Sequence, residues 1–135
     1  MRNRFLILLI VLGTMLTACG GANSAKTSLS VTLTDFAYTP NQFTVPAGEE
    51  ITLDAANTGA VVHNFIIMNP GTSAGTEYTA EDDANAYWKL EIPAGGSTTA
   101  TFTAPTEPGE YEVVCGTPGH LQAGMVGKLI VVAAE

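Results

Sequence analysis

A thiol, an imidazole and a thioether follow one another at intervals of five residues near the carboxyl end of the chain, at Cys115, His120 and Met125. The residues between them include Pro118 and three glycines, which are typical of tight turns and let the backbone fold back on itself. The three side chains can therefore converge on one point. Thiolates and thioethers are soft donors and imidazole is a common metal ligand, so the spacing indicates a metal site on one loop.

A fourth donor comes from another part of the chain. The sequence contains only two histidines, and the second one, His63, lies in the apolar segment Val61–Ile67. Taken singly, each of these residue types is most often a packing or surface residue. Together, two imidazoles, one thiolate and one thioether match the trigonal His₂Cys site with a weak axial methionine that suits copper in electron transfer. The sequence therefore favours one copper site.

Most of the chain after residue 27 alternates apolar and polar side chains with a period of two, as half-buried strands do. Turn signals rich in proline, glycine and asparagine separate these segments. The segments are Leu29–Leu33, Phe43–Val45, Ile51–Leu53, Val61–Met68, Thr98–Phe102, Tyr111–Cys115 and Lys128–Val132. This pattern predicts an all-β fold, a β-sandwich of about seven or eight strands.

The strand that leads into the ligand-bearing loop predicts the orientation of the cysteine. Successive side chains of a strand point to opposite faces of its sheet. Tyr111, Val113 and Cys115 therefore share one face, and Glu110 and Glu112 lie on the other. We expect the thiol inside the sandwich and the carboxylates in water.

One segment, Thr76–Trp88, departs from the strand pattern and carries Glu77 and the acidic run Glu81–Asp83. It predicts a short helix or an acidic loop inserted into the sandwich, with its aromatic side chains covering a sheet edge. The acidic run lacks the ligand spacing and the glycine of a calcium-binding loop.

The amino terminus has the features of an export signal. Arg2 and Arg4 precede the apolar run Phe5–Leu12, and Leu16–Cys19 resembles the lipobox of bacterial lipoproteins. We expect residues 1–18 to be a lipoprotein signal peptide. An ordinary secretory signal cut nearby and an uncleaved anchor are the alternatives.

Cleavage before Cys19 would make that residue the lipidated first residue of the mature chain. The small, polar residues 19–27 predict a flexible tether, and residues 28–135 the folded domain. Acyl chains on Cys19 would hold the domain on the outer face of the cell membrane, on its periplasmic or cell-surface side. Cys115 would then be the only thiol left.

The charge of the chain excludes one class of partner. The 135 residues carry a formal net charge of −8, and removal of Arg2 and Arg4 with the signal peptide would leave −10. No basic stripe remains to neutralise phosphates, so nucleic acid is excluded as a partner.

The motifs resemble those of the blue (type 1) copper proteins, the cupredoxin family that includes auracyanin, plastocyanin and azurin. The resemblance rests on His63-Asn64, on the spacing Tyr111-x₃-Cys115-x₄-His120-x₄-Met125 and on the run Thr117-Pro118-Gly119-His120. It covers essentially the whole predicted domain and implies a Greek-key arrangement of the strands.

The same resemblance implies roles for six residues. His63, Cys115 and His120 would be the equatorial ligands of one copper ion, and Met125 the long axial ligand. Asn64 would help to tie the two ligand-bearing segments together. Pro118 has no N–H to donate to the sulfur, which would help to keep the reduction potential from falling.

The implied function is that of a monomeric one-electron carrier. Its redox donor and acceptor would dock near His120, on an apolar patch formed by Pro118, Gly119, Leu121, Ala123 and Gly124. A periplasmic copper carrier or chaperone could use the same soft ligands and stays open as an alternative. So does a β-sandwich lipoprotein that binds no metal.

Ligand counting argues against several enzymes. A multicopper oxidase or nitrite reductase needs further histidines for a second copper site, and both histidines are already used. A binuclear copper centre of the terminal-oxidase kind needs two cysteines in its ligand loop, where Cys115 stands alone. A Cys-His hydrolase would leave Met125 without a role. We therefore expect no catalytic residues.

Overall fold

The computed structural model describes residues 24–135. The predicted signal peptide, Cys19 and the first part of the predicted tether lie outside the described residues. No helix within residues 24–135 is long and apolar enough to cross a membrane.

The described chain forms nine strands and one short helix. The strands are β1 (Ser28–Thr34), β2 (Ala37–Thr39), β3 (Gln42–Pro46), β4 (Glu50–Asn57), β5 (His63–Met68), β6 (Ala86–Ile92), β7 (Ser97–Thr103), β8 (Gly109–Val114) and β9 (Val126–Val132), and helix α1 spans Ala80–Ala84. The all-β class is confirmed. The two strands that the sequence pattern did not predict are β2, with only three residues, and β6.

The strands form two sheets, ordered β2-β1-β4-β7 and β3-β9-β8-β5-β6. Chain neighbours such as β3 and β4 lie in opposite sheets, and the pairs β1·β4 and β3·β9 are parallel while the others are antiparallel. These crossings between sheets are those of the expected Greek-key sandwich.

The core lies between the two sheets and is built by the predicted alternation. In β1, Leu29, Val31 and Leu33 are buried while the residues between them are exposed or half-buried. Burying each such side chain contributes about 1.5 to 3 kcal/mol. Cys115 and Met125 belong to this same cluster of buried residues. One end of the core therefore continues directly into the predicted metal site.

A second, smaller cluster covers the outer face of the β5–β8 pair. It consists of Ile66, Met68, Ala74, Val114 and Leu121, with Tyr78 and Ala86 packed against it.

The acidic segment that overlies this cluster is part helix and part strand. Helix α1 begins with a capping box, in which Thr79 and Asp82 bond each other's backbone N–H groups. The chain then continues as β6, where the Trp88 ring lies 4.9 Å from that of Phe102. The expectation of a short helix in this segment is confirmed.

Candidate metal centre

Three side chains converge at one end of the sandwich. His63 is the first residue of β5, Cys115 directly follows β8, and His120 lies in the connection to β9. The Sγ atom of Cys115 is 3.8 Å from the Nδ1 atoms of both histidines, and these two Nδ1 atoms are 3.1 Å apart. All three residues are buried. His63 is separated along the chain from Cys115 by 52 positions and from His120 by 57, yet the three residues offer their donor atoms to one point.

Met125 completes the predicted set just before β9. Its side chain is fully buried in the same core cluster as Cys115. Its backbone N–H donates to the carbonyl oxygen of His120 at 3.0 Å, so the positions of these two residues are coupled.

The connection between β8 and β9, residues 115–125, is hereafter called the ligand loop. It is a series of tight turns in which the N–H of His120 donates to Thr117 O, that of Ala123 to Gly119 O and that of Gly124 to Leu121 O, each at 3.0 Å. Gly119 and Gly124 have φ of 83° and 93°, a conformation that favours glycine. The predicted turn chemistry therefore does fold His120 back toward Cys115.

Hydrogen bonds join the ligand loop to the segment that carries His63. The N–H of Asn64 donates to Cys115 Sγ at 3.4 Å, and the Thr117 hydroxyl donates to Val62 O at 2.8 Å. On the other side of Asn64, its carbonyl accepts from the Tyr38 hydroxyl at 2.6 Å. Asn64 connects the two segments through its backbone, and its N–H stabilises negative charge on the sulfur. Pro118 is an exposed residue of the loop.

Asn57, at the end of β4, holds the chain that leads to His63. This buried amide donates to Val61 O at 2.8 Å and to Ile92 O at 3.0 Å, and its oxygen accepts from the N–H of Gly59 at 2.9 Å. Sequence reasoning did not identify Asn57, because it stood in a turn signal, Asn57-Thr58-Gly59, that needed no further explanation.

The turn between β1 and β2 contacts both histidines and was also missed. It consists of Asp35 and Phe36. One carboxylate oxygen of Asp35 lies 3.2 Å from Nε2 of His63, and the Phe36 ring packs edge-on against His120, with ring centroids 5.0 Å apart. Phe36 has φ of 70°, and no other non-glycine residue of the described chain has a positive φ. Such strain in a bulky residue is typical of functional sites.

Burial sets the protonation of His120. It lowers the pKa of the imidazole, and the neighbouring His63 lowers it further, against a smaller opposing effect of Asp35. A lowered pKa favours the neutral imidazole, which is the form that binds a metal.

The donor atoms fit a copper ion by chemistry and by separation. Bonds from nitrogen and sulfur to a protein-bound metal are about 2.0 to 2.3 Å, which places trigonal donors about 3.6 Å from one another. The separations of 3.1 and 3.8 Å lie around this value. Among residues 24–135, this is the one group of three His, Cys, Asp or Glu side chains that could hold an ion.

The surface over the site includes most of the patch predicted from the sequence, since Pro118, Gly119, Ala123 and Gly124 are exposed. Leu121 is buried in the second cluster, so its expected place in an exposed patch is wrong. Sequence reasoning did not identify Phe36, Val61 and Val62, which are 49%, 43% and 38% exposed. His120 is 6% exposed and His63 is fully buried, so His120 is the histidine nearer to solvent.

Residues 25–132 match the family of copper binding proteins described as the plastocyanin/azurin family. The chain therefore belongs to this family, the cupredoxins. Copper is its cofactor, and the four predicted side chains are arranged as a type 1 copper site.

Individual relatives agree with this assignment. Auracyanin-A of Chloroflexus aurantiacus is 31% identical, over 97% of this chain and 97% of its own length. The copper-resistant cuproprotein CopI of Rubrivivax gelatinosus is 32% identical, over 83% of this chain and 70% of its own length. The dithionite-reduced auracyanin of Roseiflexus castenholzii superposes with a TM-score of 0.70 at 31% identity, covering 81% of this chain and 99% of that structure.

Proposed function

We propose that this protein is a one-electron carrier of the cell envelope, with His63, Cys115 and His120 as equatorial copper ligands and Met125 as the axial ligand. The observation that carries the proposal is the convergence of two Nδ1 atoms and one Sγ atom within 3.8 Å in a buried site. When bound there, copper supplies reversible one-electron redox chemistry.

The residues around the site favour fast electron transfer. His63 begins one of two paired strands and Cys115 directly follows the other, and the loop that carries the remaining donors is held by its own hydrogen bonds. The donor positions therefore need to change little between oxidation states. In the described hydrogen bonds of residues 24–135, the three donor atoms contact one another and the N–H of Asn64, and no further acidic or basic side chain. The arrangement suits a carrier better than an enzyme.

Redox donor and acceptor proteins would dock over His120. The exposed apolar side chains of Phe36, which packs on His120, and of Val61 and Val62, which precede His63, would form a small patch for brief contacts together with the exposed loop residues Pro118 and Ala123. Acidic side chains elsewhere give the chain its negative charge, which would steer basic partners and raise the rate of encounter. The carrier would act as a monomer.

A lipid anchor would place the carrier on the outer face of the membrane. The support is the lipobox-like sequence before Cys19, followed by a polar tether. Mass spectrometry of the membrane-extracted protein is expected to find an acylated amino-terminal Cys19. An unmodified terminus downstream of Cys19 would remove the lipoprotein proposal.

Copper delivery is the second candidate function. The relative from Rubrivivax gelatinosus is named a copper-resistant cuproprotein, and this name favours a role in handling the metal itself. A delivery protein must release copper to a partner, whereas a carrier must retain it through both oxidation states.

Copper titration of the purified protein separates these functions. We expect one equivalent of Cu(II) to produce an intense visible charge-transfer band that bleaches with ascorbate and returns on reoxidation through several cycles, with copper content unchanged. Electron paramagnetic resonance on the same samples would record the oxidised site. Loss of copper at each reduction would move the function to delivery, and absence of the band would overturn the thiolate site.

A further inference from the structure

Asp35 makes a contact with His63 on the side of the ring that faces away from the metal site. Its Oδ1 lies 3.2 Å from Nε2 of His63, and it also accepts from the N–H of Ala60 at 3.2 Å. The His63 side chain is fully buried, while that of Asp35 is 44% exposed. The carboxylate therefore closes the outer side of an otherwise enclosed ring.

The direction of this hydrogen bond follows from the other ring nitrogen. Nδ1 of His63 faces Cys115 Sγ and His120 Nδ1, so it must present a lone pair if it is to bind a metal. In a neutral imidazole the proton then resides on Nε2. A carboxylate has only acceptor capacity when ionised, so His63 Nε2–H donates to Asp35.

The contact between Asp35 and His63 requires a residue without a side chain at position 59, which is Gly59. A Cβ atom at Gly59 would lie 2.5 Å from Asp35 Oδ1 and 2.5 Å from His63 Nε2. The N–H of Gly59 is in turn fixed by Asn57 Oδ1. The parallel pairing of β1 with β4 sets Leu33 against Asn57 and so brings the β1–β2 turn beside the connection between β4 and β5, which contains Gly59.

We propose that Asp35 is a positioning residue, which holds the His63 ring in its Nε2–H tautomer and lowers the reduction potential of the copper site. A nearby negative charge stabilises the more positive, oxidised state of a metal site over the reduced state. The inference rests on the proposed function, because it takes His63 as a copper ligand.

The test compares variants of the copper-loaded protein. Asp35→Asn keeps an acceptor oxygen but removes the charge, and Asp35→Ala removes both. Gly59→Ala keeps the charge but forces the carboxylate and the ring apart. Asp54→Asn is the matched control, since Asp54 is an exposed carboxylate on the outer face of the β2-β1-β4-β7 sheet that accepts one side-chain hydrogen bond, from Thr99.

Two measurements separate charge from positioning. The reduction potential is expected to rise in Asp35→Asn and in Asp35→Ala, and to change little in Asp54→Asn. In the reduced, diamagnetic protein, the NMR signal of the His63 Nε2 proton is expected to exchange with water about tenfold faster, or more, in Asp35→Ala and Gly59→Ala. Asp35→Asn should retain a protected proton.

Two results would overturn the inference. One is a potential in both Asp35 variants that matches the Asp54→Asn control. The other is a His63 Nε2 proton as protected in Asp35→Ala as in the unaltered chain. Both require the unaltered protein to show the thiolate-to-copper band. If that band is absent, the proposed function has failed instead.

Discussion

The ligand loop and the β1–β2 turn meet at the same histidines but reach them in opposite ways. The loop supplies the donors of Cys115, His120 and Met125, and hydrogen bonds within the loop hold His120 and Met125. The turn supplies no donor, and its residues Asp35 and Phe36 arrive through the pairing of β1 with β2 and β4. Donor chemistry is thus encoded locally, whereas the environment of the donors depends on contacts between distant parts of the chain.

The largest effect, on the visible spectrum, is expected when the ligand loop loses the thiolate of Cys115. Cys115→Ser replaces sulfur with a much harder, poorly ionised donor, so the intense visible band of the copper-loaded protein should disappear. Absorption spectra of the two proteins at equal copper content measure this. Near-ultraviolet circular dichroism should show that the variant keeps its fold. A surviving charge-transfer band would contradict the assignment of Cys115.

A large loss of stability is expected from Asn57, which anchors the segment beside the turn. Asn57→Ala removes the partners of two carbonyls and one N–H, and we expect it to lower the free energy of unfolding of the metal-free protein by about 2 to 4 kcal/mol. Urea denaturation measures this change.

Asn85→Ala is the matched control for Asn57→Ala, since the Asn85 side chain makes one exposed hydrogen bond, to Glu81 O. Its effect should stay below about 1 kcal/mol. Equal losses in the two variants would show that Asn57 has no special anchoring role.

Strand periodicity predicted the sandwich and the inward orientation of the thiol, because alternation within one strand is local information. Tyr111, Val113 and Cys115 do lie in the main core cluster. The spacing of cysteine, histidine and methionine along one short loop is local information as well, and it identified three of the four candidate donors.

What the sequence did not reveal depends on which segments become neighbours. The contact of Asp35 with His63 follows from the β1–β4 register, and a single aspartate in a turn carries no signal of it. Leu121 was expected at the surface, but it is buried against residues of β5 and β8 beneath the acidic segment. Such cover cannot be recognised from the local pattern of a loop.

The axial position allows a finer adjustment of the site. Met125→Gln should keep a coloured copper protein with a lower reduction potential, because an amide oxygen is a harder donor than a thioether and favours oxidised copper. Met125→Leu is the counterpart, since it preserves the apolar side chain but offers no donor, and its potential should rise. Voltammetry of the three proteins measures both shifts. Shifts in the same direction would show that the thioether does not tune the site.

The smallest effect is expected at Phe36, where the strain of its backbone can be separated from the covering of His120 by its ring. Glycine tolerates a φ of 70°, so Phe36→Gly relieves strain that Phe36→Ala retains. We expect the glycine variant to be more stable than the alanine variant by about 1 kcal/mol. Urea denaturation of the two metal-free variants measures the difference.

Both Phe36 variants should nevertheless uncover the His120 ring to the same extent, because both remove the aromatic ring that packs on it. Water-proton relaxation by the oxidised protein, which increases as solvent comes closer to the metal, should rise equally in the two variants. If relaxation stays at its original value in both, Phe36 does not shield the site. The strained backbone of Phe36 would then matter only for the turn between β1 and β2.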